Sequence, residues 1–272
     1  MATIPKIGVD AGGTLVKIAF RSEDSIQYHK IPSSQLTQAA LWINEHRPEA
    51  IVCLTGGKSR LLASMLERDA RHIPEFAATC RGIRHLLHQG GMGMPSFLLT
   101  NVGTGTSIHY LDADSHARVG GTGIGGGTVL GLSYLLTGLR DYESIVKLAG
   151  EGVRSSIDLT VAQIYEGAVP PLAGDLTASN FGNIDKFAGS PPKKEDLIAS
   201  VIGFVGETVA TVSAHAGGQY GTADIVFIGS SFADNDPLRN VVEKTALFRG
   251  ANPYFVENGE YSGALGALMA IG

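Results

Sequence analysis

Ile7-Gly-Val-Asp-Ala-Gly-Gly-Thr14 decides the fold of this chain, and Phe97-Leu-Leu-Thr-Asn-Val-Gly-Thr-Gly-Thr106 repeats its form about ninety residues later. Each is an apolar strand running into a tight glycine turn that carries hydroxyls. In the first, Gly12 and Gly13 have no side chain, so their backbone N–H groups can approach phosphate oxygens. Asp10 stands just before that turn. A carboxylate beside incoming phosphates makes sense when a divalent cation lies between them, because two anions in contact repel. Thr14 adds a hydroxyl and Lys17 a positive charge. One glycine turn between strands is as readily a plain hairpin; two of them, each closing a hairpin, point to a duplicated domain with a nucleotide held between the copies.

The 272 residues suffice for two modest domains, each with its own core. Apolar residues make up 44 % and charged ones 17 %, which excludes a disordered chain. No segment reaches the roughly eighteen uninterrupted apolar residues of a membrane span. A net charge of -5 with scattered basic residues argues against nucleic-acid or anionic-membrane partners. The N-terminus shows no charged region followed by an apolar signal core, so a cytoplasmic location is expected. Cys53 and Cys80 form neither a zinc set nor a disulfide framework; Cys53 reads as a small core residue.

The hydrophobic periodicity predicts strands over 7–9, 15–20 and 25–30, then a helix over 34–46 capped by Ser33 or Ser34. The apolar run 50–54 reads as a buried parallel strand that delivers Thr55-Gly56-Gly57 to the carboxyl edge of a sheet, where ligands of open sheets bind. Helices follow over 59–68 and 75–88, the second with Pro74 as its first residue and Phe76, Ile83, Leu86 and Leu87 on one face. A second meander covers 97–101, 107–111 and a short strand ending at Arg118 and Val119. The glycine run 120–127 then leads into a helix over 128–137, where exposed N-terminal N–H groups would bind an anion. Residues 138–195 show turn-rich pieces at 169–175 and 188–192 with short helices between. The pattern over 196–215 is a core helix with the stripe Ile198, Ile202, Val205, Val209 and Val212. Strands over 225–228 and 254–256 and a helix over 264–270 close the chain.

Phosphoryl transfer needs a metal-bound nucleotide, donors on the moving group and a base for the acceptor hydroxyl. Asp10 is the candidate for Mg²⁺, directly or through water. Gly12, Gly13, Thr14 and Lys17 are candidates for the β- and γ-phosphates, with Thr104 and Thr106 closing over them. Arg118 could stabilise the phosphoryl group or fork onto a substrate carboxylate. Glu75, at a helix start, is the candidate base, although acidic residues are common in first turns for the dipole alone.

The duplicated turns resemble the actin, hexokinase and Hsp70 superfamily, which implies an α/β fold of two ribonuclease H-like (actin-like ATPase) domains with a nucleotide cleft between them. The lobes would be 1–96 and 97–272, the last helix packing back on the first lobe. Closer still, the chain resembles the type II pantothenate kinases of the staphylococcal and bacillar kind. The resemblance rests on Gly8-Val-Asp-Ala-Gly-Gly-Thr-Leu-Val-Lys17, Leu54-Thr-Gly-Gly57, Glu75-Phe76, Asn101-Val-Gly-Thr-Gly-Thr-Ser107, Arg118-Val-Gly-Gly121, Gly125-Gly-Gly127, Gly174-Asp-Leu-Thr-Ala178, Asn180-Phe-Gly182, Ile228-Gly-Ser-Ser-Phe232 and Glu257-Asn-Gly259, in that order. It implies ATP- and Mg²⁺-dependent phosphorylation of pantothenate to 4'-phosphopantothenate, the first step of coenzyme A synthesis, by a cytoplasmic homodimer. It makes Glu75 the base and places Arg118 near the transferred phosphate. It places ATP on Asp10, Ala11, Gly12, Gly13, Thr14, Leu15, Val16 and Lys17, with Thr104, Gly125, Gly126, Gly127, Thr128, Val129 and Ser230 or Ser231. Ala77 departs from the pattern, since the resemblance leads one to expect an acidic residue there. The rival readings are a sugar or amino-sugar kinase of the same superfamily, whose usual Asn-Asp pair is missing after the first helix, and a nucleotide-dependent switch or filament ATPase.

Overall fold

A computed structural model describes residues 4–22, 25–113, 115–183, 185 and 190–272. The first half of the chain forms β1 (Lys6–Ala11), β2 (Leu15–Ser22), β3 (Ser25–Pro32), α1 (Leu36–His46), β4 (Ile51–Thr55), α2 (Ser59–Ala63), β5 (Ala70–His72) and α3 (Glu75–Gln89). There follow β6 (Phe97–Val102), β7 (Thr106–Leu111), β8 (His116–Thr122), α4 (Gly126–Thr137), α5 (Tyr142–Glu151), β9 (Leu159–Thr160), α6 (Val161–Tyr165) and β10 (Thr177–Ser179). The chain ends with α7 (Lys194–Tyr220), β11 (Asp224–Ile228), α8 (Asp236–Phe248), β12 (Asn252–Phe255) and α9 (Ser262–Met269). Two compact units result, one of Met1–Pro95, Leu111–His116 and Phe255–Gly272, the other of Ser96–Tyr110 and Ala117–Tyr254.

In the first unit the sheet order is β3-β2-β1-β4-β5. β1, β2 and β3 pair antiparallel, while β4 runs parallel to β1 and β5 parallel to β4. Alternation along β1 sorts its residues between two layers. Ile7, Val9 and Ala11 enter a core with Val16, Ile18, Val52, Leu54 and the Ala39 and Ile43 of α1. Gly8 faces the other layer, where α9 packs on β1 and on α3. A Cβ on Gly8 would stand 2.1 Å from the Ala264 carbonyl oxygen, so α9 lies backbone against backbone on the central strand.

The second unit repeats the order. Its sheet reads β12-β11-β6-β7-β8, the same arrangement when read from β8 inward, with β6 and β11 parallel. α7 packs on β6, β11, α4, α5 and α8. Among the described residues it alone is long and apolar enough to cross a membrane, and most of its apolar window is buried inside the protein. Residues 154–183 are tied to it by a charged network. Arg154 donates to Asp158 (3.0 Å) and Glu207 (2.8 Å), Thr177 to Glu207 (2.8 Å), and Asn180 to the other Glu207 oxygen (3.0 Å).

Several local expectations need correction. Ser33 and Ser34 do not cap α1: Gln35 occupies that position without a side-chain bond, and the Ser33 hydroxyl is used elsewhere. The helix expected over 59–68 stops at Ala63, because the Arg68 guanidinium draws the following turns onto the Arg47 carbonyl (2.6 Å) and Asn44. Pro74 caps α3 rather than opening it, and Phe76 is exposed while Ile83, Leu86 and Leu87 are buried. The strand holding Arg118 runs on through Thr122, so Arg118 lies within it. α7 buries every residue from position 198 to 203 instead of a single stripe, and its Val212 is only half-buried. The two-stranded sheet β9–β10, strand β5 and helix α8 are additions; α8 is capped by Asn235, which accepts from the Leu238 N–H at 3.1 Å. Of the turn at 188–192, residues 188 and 189 lie outside the described residues.

The contact at Gly8 gives a direct test. Gly8→Ala is expected to destabilise the protein by more than the ~1–3 kcal/mol usual for overpacking, since a backbone oxygen cannot rotate away. Gly57→Ala, which meets nothing within 4 Å, should change stability by less than about 0.5 kcal/mol. Denaturant unfolding of the two variants measures the difference.

Candidate functional site

The first unit gathers three of the expected groups at the carboxyl end of its sheet. Asp10 is the penultimate residue of β1, and Lys17 lies opposite it in the antiparallel register. β4 ends alongside, with Thr55 the register neighbour of Asp10. β5, bonded to β4, passes the chain through Pro74 into α3, whose first residue is Glu75.

Asp10 is held between two glycines. A Cβ on Gly56, whose φ is +89°, would stand 2.5 Å from Oδ1, and one on Gly263 would stand 2.7 Å from Oδ2. Oδ1 is buried with no hydrogen-bond partner. Burial raises the Asp10 pKa above the ordinary 3.8, and Lys17 pulls it back. Glu75 presents much of its surface to solvent, yet enough protein surrounds its carboxyl that desolvation, and secondarily the Asp10 charge, raises its pKa, with Lys17 opposing. Ala77 supplies no charge, so Asp10 is the carboxylate that acts on Glu75.

An orphaned carboxylate oxygen suits Mg²⁺, which takes one or two carboxylates and completes its shell from phosphates and water. Among the described residues no three His, Cys, Asp or Glu side chains gather. Asp10 Oδ1, buried and without a hydrogen-bond partner, is the oxygen in this cluster that could take such an ion.

The Gly12 turn differs from expectation. The Gly12 N–H closes the turn onto the Leu15 carbonyl (3.1 Å), so it supplies tightness rather than a free donor. Gly13 and Thr14 are exposed at the turn's tip. Ala11 and Val16 are fully buried in the core and can serve a ligand only through their backbone; Leu15 is half-buried. The turn is braced by residues that the sequence reading did not single out. Ser33 donates its hydroxyl to the Gly12 carbonyl and its N–H to that of Thr14, both at 2.8 Å. Lys58 donates its N–H to Ala11 (2.9 Å) and its ammonium to the Ser33 carbonyl (3.3 Å). Lys58 was within reach of sequence reasoning, as the residue after Thr55-Gly56-Gly57. Ser33 and Gly263 carry no local signal.

The second unit builds its turn around α4. The Gly126 N–H donates to the Gly103 carbonyl (2.8 Å), that of Gly127 to Thr104 (2.9 Å), and those of Thr128 and Val129 to Gly125 (3.0 and 3.1 Å). The Gly125 N–H donates to the Thr128 hydroxyl (3.2 Å), so the N–H groups of the cap and first turn are all spent, and Val129 makes the first bond of the helix itself. The expected open anion site at this helix start is thus overturned. Thr104 is exposed at the tip, whereas Thr106 is buried and donates to the Ile124 carbonyl at 2.7 Å, so it braces the turn and does not close over a ligand. Thr128 bonds the Gly125 N–H (3.2 Å), and Val129 is fully buried. Ser231 is buried and donates to the Gly103 carbonyl (3.2 Å), leaving Ser230 the more accessible of the pair. Arg118 is exposed on β8, its guanidinium lying over Gly121.

The duplicated sheets define an α/β fold of the actin-like kind. Component A of the (R)-2-hydroxyglutaryl-CoA dehydratase of Acidaminococcus fermentans shares this fold with a TM-score of 0.65 at 14 % identity, covering 98 % of this chain and 97 % of that one. A ROK family glucokinase from Streptomyces griseus, solved with glucose and AMPPNP, gives 0.58 at 14 % identity and 98 % coverage of both chains. The Fumble family profile matches residues 93–270. A type II pantothenate kinase of Staphylococcus aureus (strain USA300) is 42 % identical over 263 residues, 97 % of this chain and 98 % of that one. The chain belongs to the type II pantothenate kinase family.

The cluster of Asp10, Lys17 and Glu75 predicts a titration. Glu75 in the nucleotide-free protein should titrate above the ordinary 4.5, because burial and Asp10 favour its neutral form. Its carboxylate form should therefore be lost as pH drops through that raised value. Lys17→Met removes the opposing charge and should move the titration higher still. Carboxyl-carbon NMR with ¹³C-labelled glutamate reads both.

Proposed function

We propose that this chain transfers the γ-phosphoryl group of ATP to pantothenate, giving 4'-phosphopantothenate and ADP, the first step of coenzyme A synthesis. The observation that carries the reading is the 42 % identity to a type II pantothenate kinase over nearly the whole of both chains. The cluster of Asp10, Lys17 and Glu75 at one sheet edge supports it.

In this reading Glu75 accepts the proton of the pantothenate primary hydroxyl. The hydroxyl oxygen bonds to the γ-phosphorus while the bond from that phosphorus to the β–γ bridging oxygen breaks, and ADP leaves with that oxygen. The raised pKa of Glu75 brings a carboxylate closer to the operating range of a general base. Arg118 stabilises charge on the phosphoryl oxygens. The tips at Gly13, Thr14 and Thr104, with Lys17, hold the phosphates; Leu15 and Gly125, with the buried Ala11, Val16 and Val129, shape these turns from beneath, and Ser230 completes the nucleotide contacts. Asp10 would hold Mg²⁺, which would supply positive charge to the phosphates of the nucleotide. The lobes of this reading are 1–96 and 97–272, with the last helix belonging to the first. The enzyme works as a cytoplasmic homodimer; support for a dimer is the apolar surface that α4 leaves open, where Leu135 is 77 % exposed beside Tyr134 and Leu136.

Glu75→Gln tests the mechanism. It should bind ATP within about twofold of the native protein and lose at least ~10²-fold in kcat. Near-native turnover would remove Glu75 from the chemistry.

A further inference from the structure

Among the described residues, four buried side-chain polar atoms of the first unit lack a hydrogen-bond partner, on Asp10, Thr55, Arg68 and His85, and two of these belong to neighbouring residues. They are Oδ1 of Asp10 and Oγ1 of Thr55. Asp10 and Thr55 are paired in register across the parallel strands β1 and β4, and register neighbours leave a sheet on the same face. Thr55 is 1 % exposed, so bulk water does not serve its hydroxyl. The two groups do not bond each other.

A hydroxyl sealed in this way, if it only filled space, would be better replaced by the similarly shaped valine. Valine suits the backbone of this strand, since Val52 stands in the same buried run, and Cys53 is the strand neighbour that shares the face of Thr55. Asp10 Oδ1, when ionised, only accepts; the threonine hydroxyl donates and accepts. Two such groups, close yet unbonded, are both satisfied by one small molecule with two protons and lone pairs, which is water. A cation bound directly to Oδ1 would leave the threonine orphaned.

We propose that Thr55 is a positioning residue for the cation: its hydroxyl and Asp10 Oδ1 together fix a water of the Mg²⁺ coordination shell, so that the ion is held through an ordered water rather than by the carboxylate alone. The inference rests on the kinase reading above, and it assigns a purpose to the threonine of Thr55-Gly56-Gly57. Gly56 then has a matching role, because any side chain there would occupy the space beside Oδ1.

The test is Mn²⁺ binding followed by electron paramagnetic resonance on the full chain in the presence of ADP, for the native protein, Thr55→Val and Thr55→Ser. Thr55→Val should weaken Mn²⁺ binding by about 10–100-fold, the range for partners that act on a metal through another group. Thr55→Ser, which keeps the hydroxyl, should remain within about threefold of native. The melting temperature of metal-free Thr55→Val should be no lower than native, because the variant loses an unsatisfied hydroxyl. Native affinity in Thr55→Val overturns the proposal, as does a native protein that binds no Mn²⁺ with ADP. Should Thr55→Val melt early, Thr55→Ala decides by the same criterion. The kinase reading fails separately, by absence of pantothenate-dependent turnover in the native protein, whatever the variants do.

Discussion

The buried carboxylate of Asp10 is the constraint around which the first unit is arranged. A charged group with an unpaired oxygen is a liability in a protein interior, and everything in contact with it is shaped to admit it without neutralising it. Gly56 and Gly263 approach from two sides because no larger residue fits. Gly8, two residues earlier on the same face of β1, lets α9 lie close enough to bring Gly263 there. The parallel register of β4 sets Thr55 alongside. Lys17 offers partial compensation from the neighbouring strand without capturing the carboxylate in an ion pair. Free energy surrendered at such a place is the mark of a site whose partner comes from outside the chain.

The second unit solves the corresponding problem differently. Its turn is closed by backbone bonds from α4 and by Ser231, and the helix's first four N–H groups are all satisfied internally. This makes a rigid platform rather than an open anion hole, with Thr104 displayed at its tip.

Much of this was legible in the sequence, for identifiable reasons. β1, β4, β6 and β11 are apolar runs ending in glycine turns, and strands of that kind announce themselves by length and punctuation. Asp10, Lys17 and Glu75 could be named because each stands at the end of an element or beside one. What escaped reading depends on contacts distant in sequence. Gly263 reaches Asp10 from the far end of the chain, and Ser33 braces a turn about twenty residues before it. The glycine run before α4 suggested free donors because sequence shows where N–H groups are but not which carbonyls will meet them. The segment after residue 138 was opaque because its order comes from Arg154, Asp158 and Glu207, three charges brought together only by folding. Helix α8 is a different case: Asn235-Asp-Pro237 followed by Leu238, Val242 and Ala246 is a readable cap and stripe that went unused.

In the proposed function the charge cluster at the edge of the first sheet serves phosphoryl transfer to pantothenate. ATP consumption by the purified protein with Mg²⁺, with and without pantothenate, and with the product identified by mass, tests it most directly. Turnover that depends on pantothenate and yields 4'-phosphopantothenate is the expected result. ATP hydrolysis indifferent to pantothenate, or turnover that appears only with a sugar, would contradict it.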